Sequence, residues 1–132
     1  MSRILALDYG VARCGCALSD PSGTLATPLP VIERPATRKG LGRVADLAAE
    51  HAVERVVVGL PLTLRGEEGA QAAETRAWVE RLEQRLQKIP VELYDERLTT
   101  RQAERTGGSA DADSRAAAHL LEAFLDARRQ AV

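Results

Sequence analysis

At 132 residues the chain has room for one hydrophobic core, not for two domains closing over a cleft, so a single domain over residues 1–132 is expected. Its 45% apolar and 28% charged residues are ordinary for a globular protein. No apolar run reaches the roughly 20 residues of a membrane span. The first apolar run turns acidic at Asp8, before an export signal could form, so no membrane partner and a cytoplasmic location are expected. The net charge of −1 excludes no class of partner, because a sum says nothing about placement. Lys39 and Lys88 are the only lysines, so positive charge is carried by arginine, the side chain best shaped for bidentate phosphate contacts. A genome rich in arginine codons would give the same bias.

Residues 4–8 read as a buried strand, an apolar run ending in an acid before the turn pair Tyr9-Gly10. Residues 13–19 alternate small apolar positions and form the next strand of a hairpin, followed by the turn Asp20-Pro21-Ser22-Gly23. Cys14 and Cys16 share a face of that strand about 7 Å apart, too far for a disulfide, and are expected to be buried free thiols. A third short strand is predicted over residues 29–33. Helical spacing of Leu41, Val44, Ala45, Leu47 and Ala48 predicts a helix over residues 38–51. Residues 55–60 then form a β-branched run without alternation, the pattern of a central parallel strand covered on both faces.

A loop over residues 59–69 leads into a long helix carried by Ala72, Thr75, Val79, Leu82 and Leu86, and residues 90–94 make the last strand. Residues 101–105 suggest a brief helix and Gly107-Gly108-Ser109 a flexible insert. The final helix is predicted over residues 114–129, with Ala117, Leu120, Leu121, Phe124 and Leu125 as its buried stripe. Three antiparallel strands followed by two parallel strands alternating with helices make an α/β fold with one mixed five-stranded sheet and helices on both faces.

Acids interrupt this apolar pattern at three element ends. Asp8 closes the first strand, Asp95-Glu96 the last, and Asp113 stands at the start of the final helix in register with Ala117, Leu121 and Phe124, on the stripe facing the sheet. Each has a structural explanation of its own: Asp113 as an N-cap, Asp8 as a turn residue, Glu96 as a surface partner of Arg97. Together they suggest more. Carboxylates converging at the carboxyl edge of a sheet repel unless a cation neutralises them. With His51 and His119 the only histidines and no cysteine cluster, an oxygen-only site favours Mg²⁺ or Mn²⁺ over Zn²⁺. Two such ions can activate water and stabilise the leaving oxygen in attack at phosphorus.

The residues Leu5-Ala6-Leu7-Asp8-Tyr9-Gly10 with Arg13, Gly15, Ala17, Ser19 and Asp20, then Val57-Val58-Gly59-Leu60-Pro61-Leu62, Gly66 and Gly69, Asp95-Glu96-Arg97-Leu98-Thr99-Thr100, and Asp113-Ser114 with Ala116-Ala117 resemble the YqgF/RuvX family. That family comprises proteins named as Holliday-junction resolvases or pre-16S rRNA processing nucleases. The resemblance implies a ribonuclease H-like fold and a metal-dependent nuclease, with Asp8, Glu96 and Asp113 as the catalytic and metal-binding set. Asp95 stays a candidate ligand, since neighbouring strand residues face opposite ways and the sequence does not say which of the pair faces the site; Glu96 is preferred. The likeness also places Gly59, Pro61, Arg97 and Thr99 at the nucleic acid, with Arg13 beside them. Junction DNA, single-stranded DNA and precursor rRNA remain open as substrates, and monomer or homodimer as the assembly.

The chain departs from that family at Cys14 and Cys16, where Ile or Val is common, and between Arg105 and Asp113, where many relatives carry a longer lysine-rich loop. Fewer basic residues mean fewer phosphate contacts, which bears on junction binding more than on chemistry. An actin-like ATPase shares the Asp-x-Gly hairpin, but needs a second domain and here lacks a phosphate-loop lysine. A non-catalytic RNA-binding factor with the same fold is the other alternative. Four aromatic residues (Tyr9, Trp78, Tyr94 and Phe124) make a poor base-stacking platform for it.

Overall fold

A computed structural model of the protein describes residues 3–98 and 110–130. The run Ile4-Leu5-Ala6-Leu7 lacks alternation because helices cover both of its faces, leaving all four side chains buried in strand β1 (Arg3–Asp8). Strand β2 (Arg13–Ser19) returns antiparallel to it, pairing Asp8 with Gly15 and Leu5 with Leu18. Strand β3 (Ala26–Glu33) pairs with β2 and is the outer strand on that side, where Pro28 and Pro30 are tolerated because an edge strand leaves one row of backbone groups unpaired. It starts three residues before the predicted strand, Pro28 and Pro30 having hidden that extension.

Helix α1 (Arg38–Glu50) begins at Thr37, whose hydroxyl accepts the Gly40 N–H at 3.0 Å. It feeds strand β4 (Val53–Leu60), parallel to β1, and helix α2 (Ala70–Leu86) feeds strand β5 (Val91–Asp95), parallel to β4. The sheet order is β3-β2-β1-β4-β5, three antiparallel strands and then two parallel ones. A 3₁₀ turn (Glu96–Leu98) ends β5, and the chain closes with helix α3 (Ala110–Gln130). The brief helix expected over residues 101–105 and the insert at 107–109 lie outside the described residues.

Strand alternation deals two different surfaces to the two faces of the sheet. Leu5, Leu7, Cys14, Cys16, Val56 and Val58 point towards α1 and α2, packing on Leu41, Val44, Trp78 and Leu82. Ile4, Ala6, Ala17 and Val57 point to the other face, where α3 lays down Ala117, Leu121, Phe124 and Leu125. Cys14 and Cys16 are buried and free. A hydrogen bond with Cys16, together with burial, pushes the Cys14 thiol well above its usual pKa, so it packs as a neutral group. Among the described residues, no helix is long and apolar enough to cross a membrane.

Candidate active site

The carboxyl ends of β1 and β4 lie side by side: Leu7 pairs with Val58, which sets Asp8 beside Gly59 one step on. On its other side Asp8 pairs with Gly15. Asp8 is two residues beyond Ala6 and therefore on the α3 face, and the row across three strands on that face reads Gly15, Asp8, Gly59. An acid-bearing residue lies over each glycine. A Cβ on Gly59 would stand 2.7 Å from Glu96 Cγ and 3.3 Å from its Oε2. A Cβ on Gly15 would collide with the backbone carbonyl of Asp113. The two glycines let the 3₁₀ turn after β5 and the first turn of α3 close in on either side of Asp8.

Glu96 is 7% exposed, a buried carboxylate on the α3 face. Its neighbour Asp95 pairs with Leu60 and looks the other way, where it is held by Arg97: the Arg97 N–H donates to Oδ1 at 2.9 Å and Nη2 to Oδ2 at 2.8 Å. That guanidinium keeps the Asp95 carboxyl below the usual carboxylate range. Arg97 also donates to the Leu64 carbonyl at 3.4 Å and lies against Gly66, tying β5 to the 62–68 loop. The pair is thus divided between the two faces, with Glu96 beside Asp8 and Asp95 occupied by an arginine.

Helix α3 starts at Ala110, four residues before the prediction, so Asp113 lies inside its first turn and is not the N-cap. Asp111 and Asp113 there complement the positive end of the helix dipole. The Ser114 hydroxyl donates to the Leu29 carbonyl at 2.6 Å, fixing this end of the helix to β3. Asp113 is half-buried, and Arg13 Nε donates to its Oδ2 at 2.9 Å. The other two acidic positions flank Asp8, yet the carboxylates are not gathered: among the described residues, no three His, Cys, Asp or Glu side chains form a ready metal cluster. The Arg13 cation neutralises the third acid instead, the charge such a position requires. Oxygen donors from Asp8, Glu96 and Asp113 suit a hard divalent ion by type. Of the remaining predicted contacts, Gly59 supports Glu96, Pro61 lines a cavity next to it, and Thr99 lies outside the described residues.

That cavity, of about 120 Å³, lies between the Tyr9-Gly10 turn, Pro61, the start of α2 and Glu96. Tyr9 stacks on Trp78 with ring centroids 4.6 Å apart, and Trp78 Nε1 donates to the Pro35 carbonyl at 3.0 Å. Burial, and secondarily the Glu74 charge, raise the Tyr9 pKa. Gln71 and Glu74 border the site from the solvent side of α2, where residue pattern alone gives no signal. Gly15 did carry a signal: a glycine inside a strand marks close approach of another backbone.

A β3-β2-β1-β4-β5 sheet with helices on both faces and acids at the carboxyl ends of β1 and β5 defines a protein of the ribonuclease H-like class. Thermus thermophilus RuvC, solved in complex with a Holliday junction substrate, has the same fold: TM-score 0.62 at 19% identity, over 98% of this chain and 97% of that one. Residues 2–127 match the family RuvX, described as Holliday junction resolvase. A Syntrophomonas wolfei relative is 40% identical over 133 residues (94% of each protein), and one from Chloroflexus aggregans is 44% identical over 135 residues (96% of this chain, 94% of the relative). Both are named "Putative pre-16S rRNA nuclease". The chain belongs to the RuvX family, and its activity is of the nuclease class.

Proposed function

We propose that this protein is a divalent-metal-dependent nuclease acting in the cytoplasm on structured RNA, with precursor 16S rRNA, the substrate in the relatives' names, as its target. The row Gly15-Asp8-Gly59 carries the reading, because it places Asp8 between a buried Glu96 and the first turn that bears Asp113. In this assignment Asp8, Glu96 and Asp113 hold Mg²⁺ or Mn²⁺. Held there, such ions would supply activation of a water and neutralisation of charge at the scissile phosphate.

The chain's own residues do the positioning. Gly59 gives Glu96 the room to lie across the sheet edge, and the packing of α3 on Ala6 and Ala17 fixes Asp113. Arg13 donates to Asp113 and brings a guanidinium to the site, suited to a phosphate oxygen of the bound strand. Arg97 holds Asp95 away and so leaves Glu96 as the acid of that pair for the ion.

The test incubates purified protein with labelled precursor RNA, single-stranded DNA and a four-way junction, in Mg²⁺ and in Mn²⁺, beside Asp8→Asn. Cutting of the RNA by wild type only when metal is present, with most of that activity missing in Asp8→Asn, is the expected result. Equal cutting by both proteins, or cutting in chelator, overturns the assignment.

A further inference from the structure

The cavity beside Glu96 is not needed to hold an ion or to position Asp113, yet it opens next to the acids at the sheet edge. We propose that it receives the ribose 2′-hydroxyl side of a nucleotide adjoining the scissile phosphate, making Gln71 and Glu74 the residues that select RNA over DNA. This rests on the metal-dependent nuclease reading and names what distinguishes its substrate.

Chemistry limits what the cavity can take. Glu96, which is buried, and Glu74, which is exposed, both line a space of about 120 Å³. A phosphate would meet repulsion from Glu74, the acid of this cavity that lies outside the metal-binding set. A base pair is too large. A sugar edge fits, and it must present hydrogen-bond donors, because the acids offer only acceptors while the Gln71 side chain can do either. The Thr75 hydroxyl donates to the Gln71 backbone carbonyl at 3.0 Å, so its proton is committed to its own helix.

The walls are built to keep their shape. Tyr9 is braced by its stack on buried Trp78, which is anchored in turn to Pro35, and Pro61 closes one side with its backbone angle fixed by the ring. Among the groups a nucleotide carries beside its phosphate, the 2′-hydroxyl is both a donor and the feature that separates RNA from DNA. A hydrogen bond to a charged acceptor is worth on the order of tenfold in affinity or more, enough to discriminate.

Trp78, the only tryptophan, stacks on the cavity wall and reports on occupancy without any cleavage. The experiment uses short single-stranded oligonucleotides of one sequence as all-ribose, all-deoxyribose and all-2′-fluoro versions, with Mg²⁺ present. Binding is read by anisotropy and Trp78 fluorescence in the first seconds, and cleavage on gels afterwards. Wild type is expected to bind the ribose version about tenfold more tightly than either of the others. In Gln71→Ala/Glu74→Ala that ratio should fall towards one and the fluorescence response to RNA should shrink. No ribose preference in wild type, or the same preference in the double variant, overturns the proposal. Metal-dependent cutting of all three versions equally sinks the ribose pocket and keeps the nuclease. A ribose preference lost in the double variant, with no cleavage of any version, keeps the pocket and sinks the metal-dependent reading.

Discussion

The two faces of this sheet are made by the same strands and do opposite things. Towards α1 and α2, β1 offers Leu5 and Leu7 and β4 offers Val56 and Val58, large side chains that fill space and hold the helices off the sheet around Trp78. Towards α3 the same strands offer Ala6 and Val57 and then Asp8 and Gly59, with Ala17 and Gly15 from β2. Small residues let α3 approach until the Asp113 backbone meets Gly15. Bulk on one face provides stability, and the lack of bulk on the other brings acids from distant parts of the chain to one sheet edge. The division follows from the two-residue period of a strand: the step from Leu7 to Asp8 is a step from core to candidate site.

The largest expected effect tests the packing face. Leu7 is fully buried, so Leu7→Ala should cost about 2–5 kcal/mol of stability, read as a lowered urea midpoint, while the folded fraction cleaves as before. Asp8→Asn should do the reverse. It removes one anionic ligand at nearly constant volume, so the midpoint should hardly move while metal-dependent cleavage falls on the order of 10²-fold or more. Should Leu7→Ala lower the cleavage rate per folded molecule as much as Asp8→Asn does, the division of labour between the faces is wrong.

Gly59→Ala sharpens the comparison by adding bulk where the α3 face excludes it. The new Cβ, 2.7 Å from Glu96 Cγ, forces that side chain to move, at about 1–3 kcal/mol of packing strain. Cleavage per folded molecule should drop by about tenfold, a loss that the accompanying fall of several degrees in melting temperature does not account for. Unchanged cleavage with a normal melt would mean that Glu96 does not need its present position.

The faces were not equally legible in the sequence. Uninterrupted apolar runs in β1 and β4 announced strands covered on both sides, and the alternation in β2 gave its bounds, because burial leaves a mark at every residue. The acids stood out against that background. The start of α3 was misplaced because its apolar stripe is evident only from Ala117 and Asp111 and Asp113 are equally good cap types, and the reading of Asp113 as a cap failed with it. The choice between Asp95 and Glu96 depended on where β5 ends and the 3₁₀ turn begins, a local geometry that no periodicity encodes. Gln71 and Glu74 were invisible for a related reason: an exposed helix face looks the same over solvent as beside a cavity.

The smallest effect belongs to Asp95, and it separates two neighbours that differ only in the face they serve. Arg97 holds the Asp95 carboxyl below its ordinary pKa, so the pair stabilises the fold fully above the unfolded value of about 3.9 and loses that contribution as pH falls through the depressed folded value. Both side chains are partly exposed, which limits the contribution to less than about 1 kcal/mol. Asp95→Asn should therefore melt slightly below wild type at neutral pH, with the gap closing below about pH 4. Its metal-dependent cleavage should stay within a few-fold of wild type, whereas Glu96→Gln should fall with Asp8→Asn. If Asp95→Asn abolished cleavage and Glu96→Gln did not, the ligand would come from the α1 and α2 side of the sheet, and the glycine at position 59 would need another explanation.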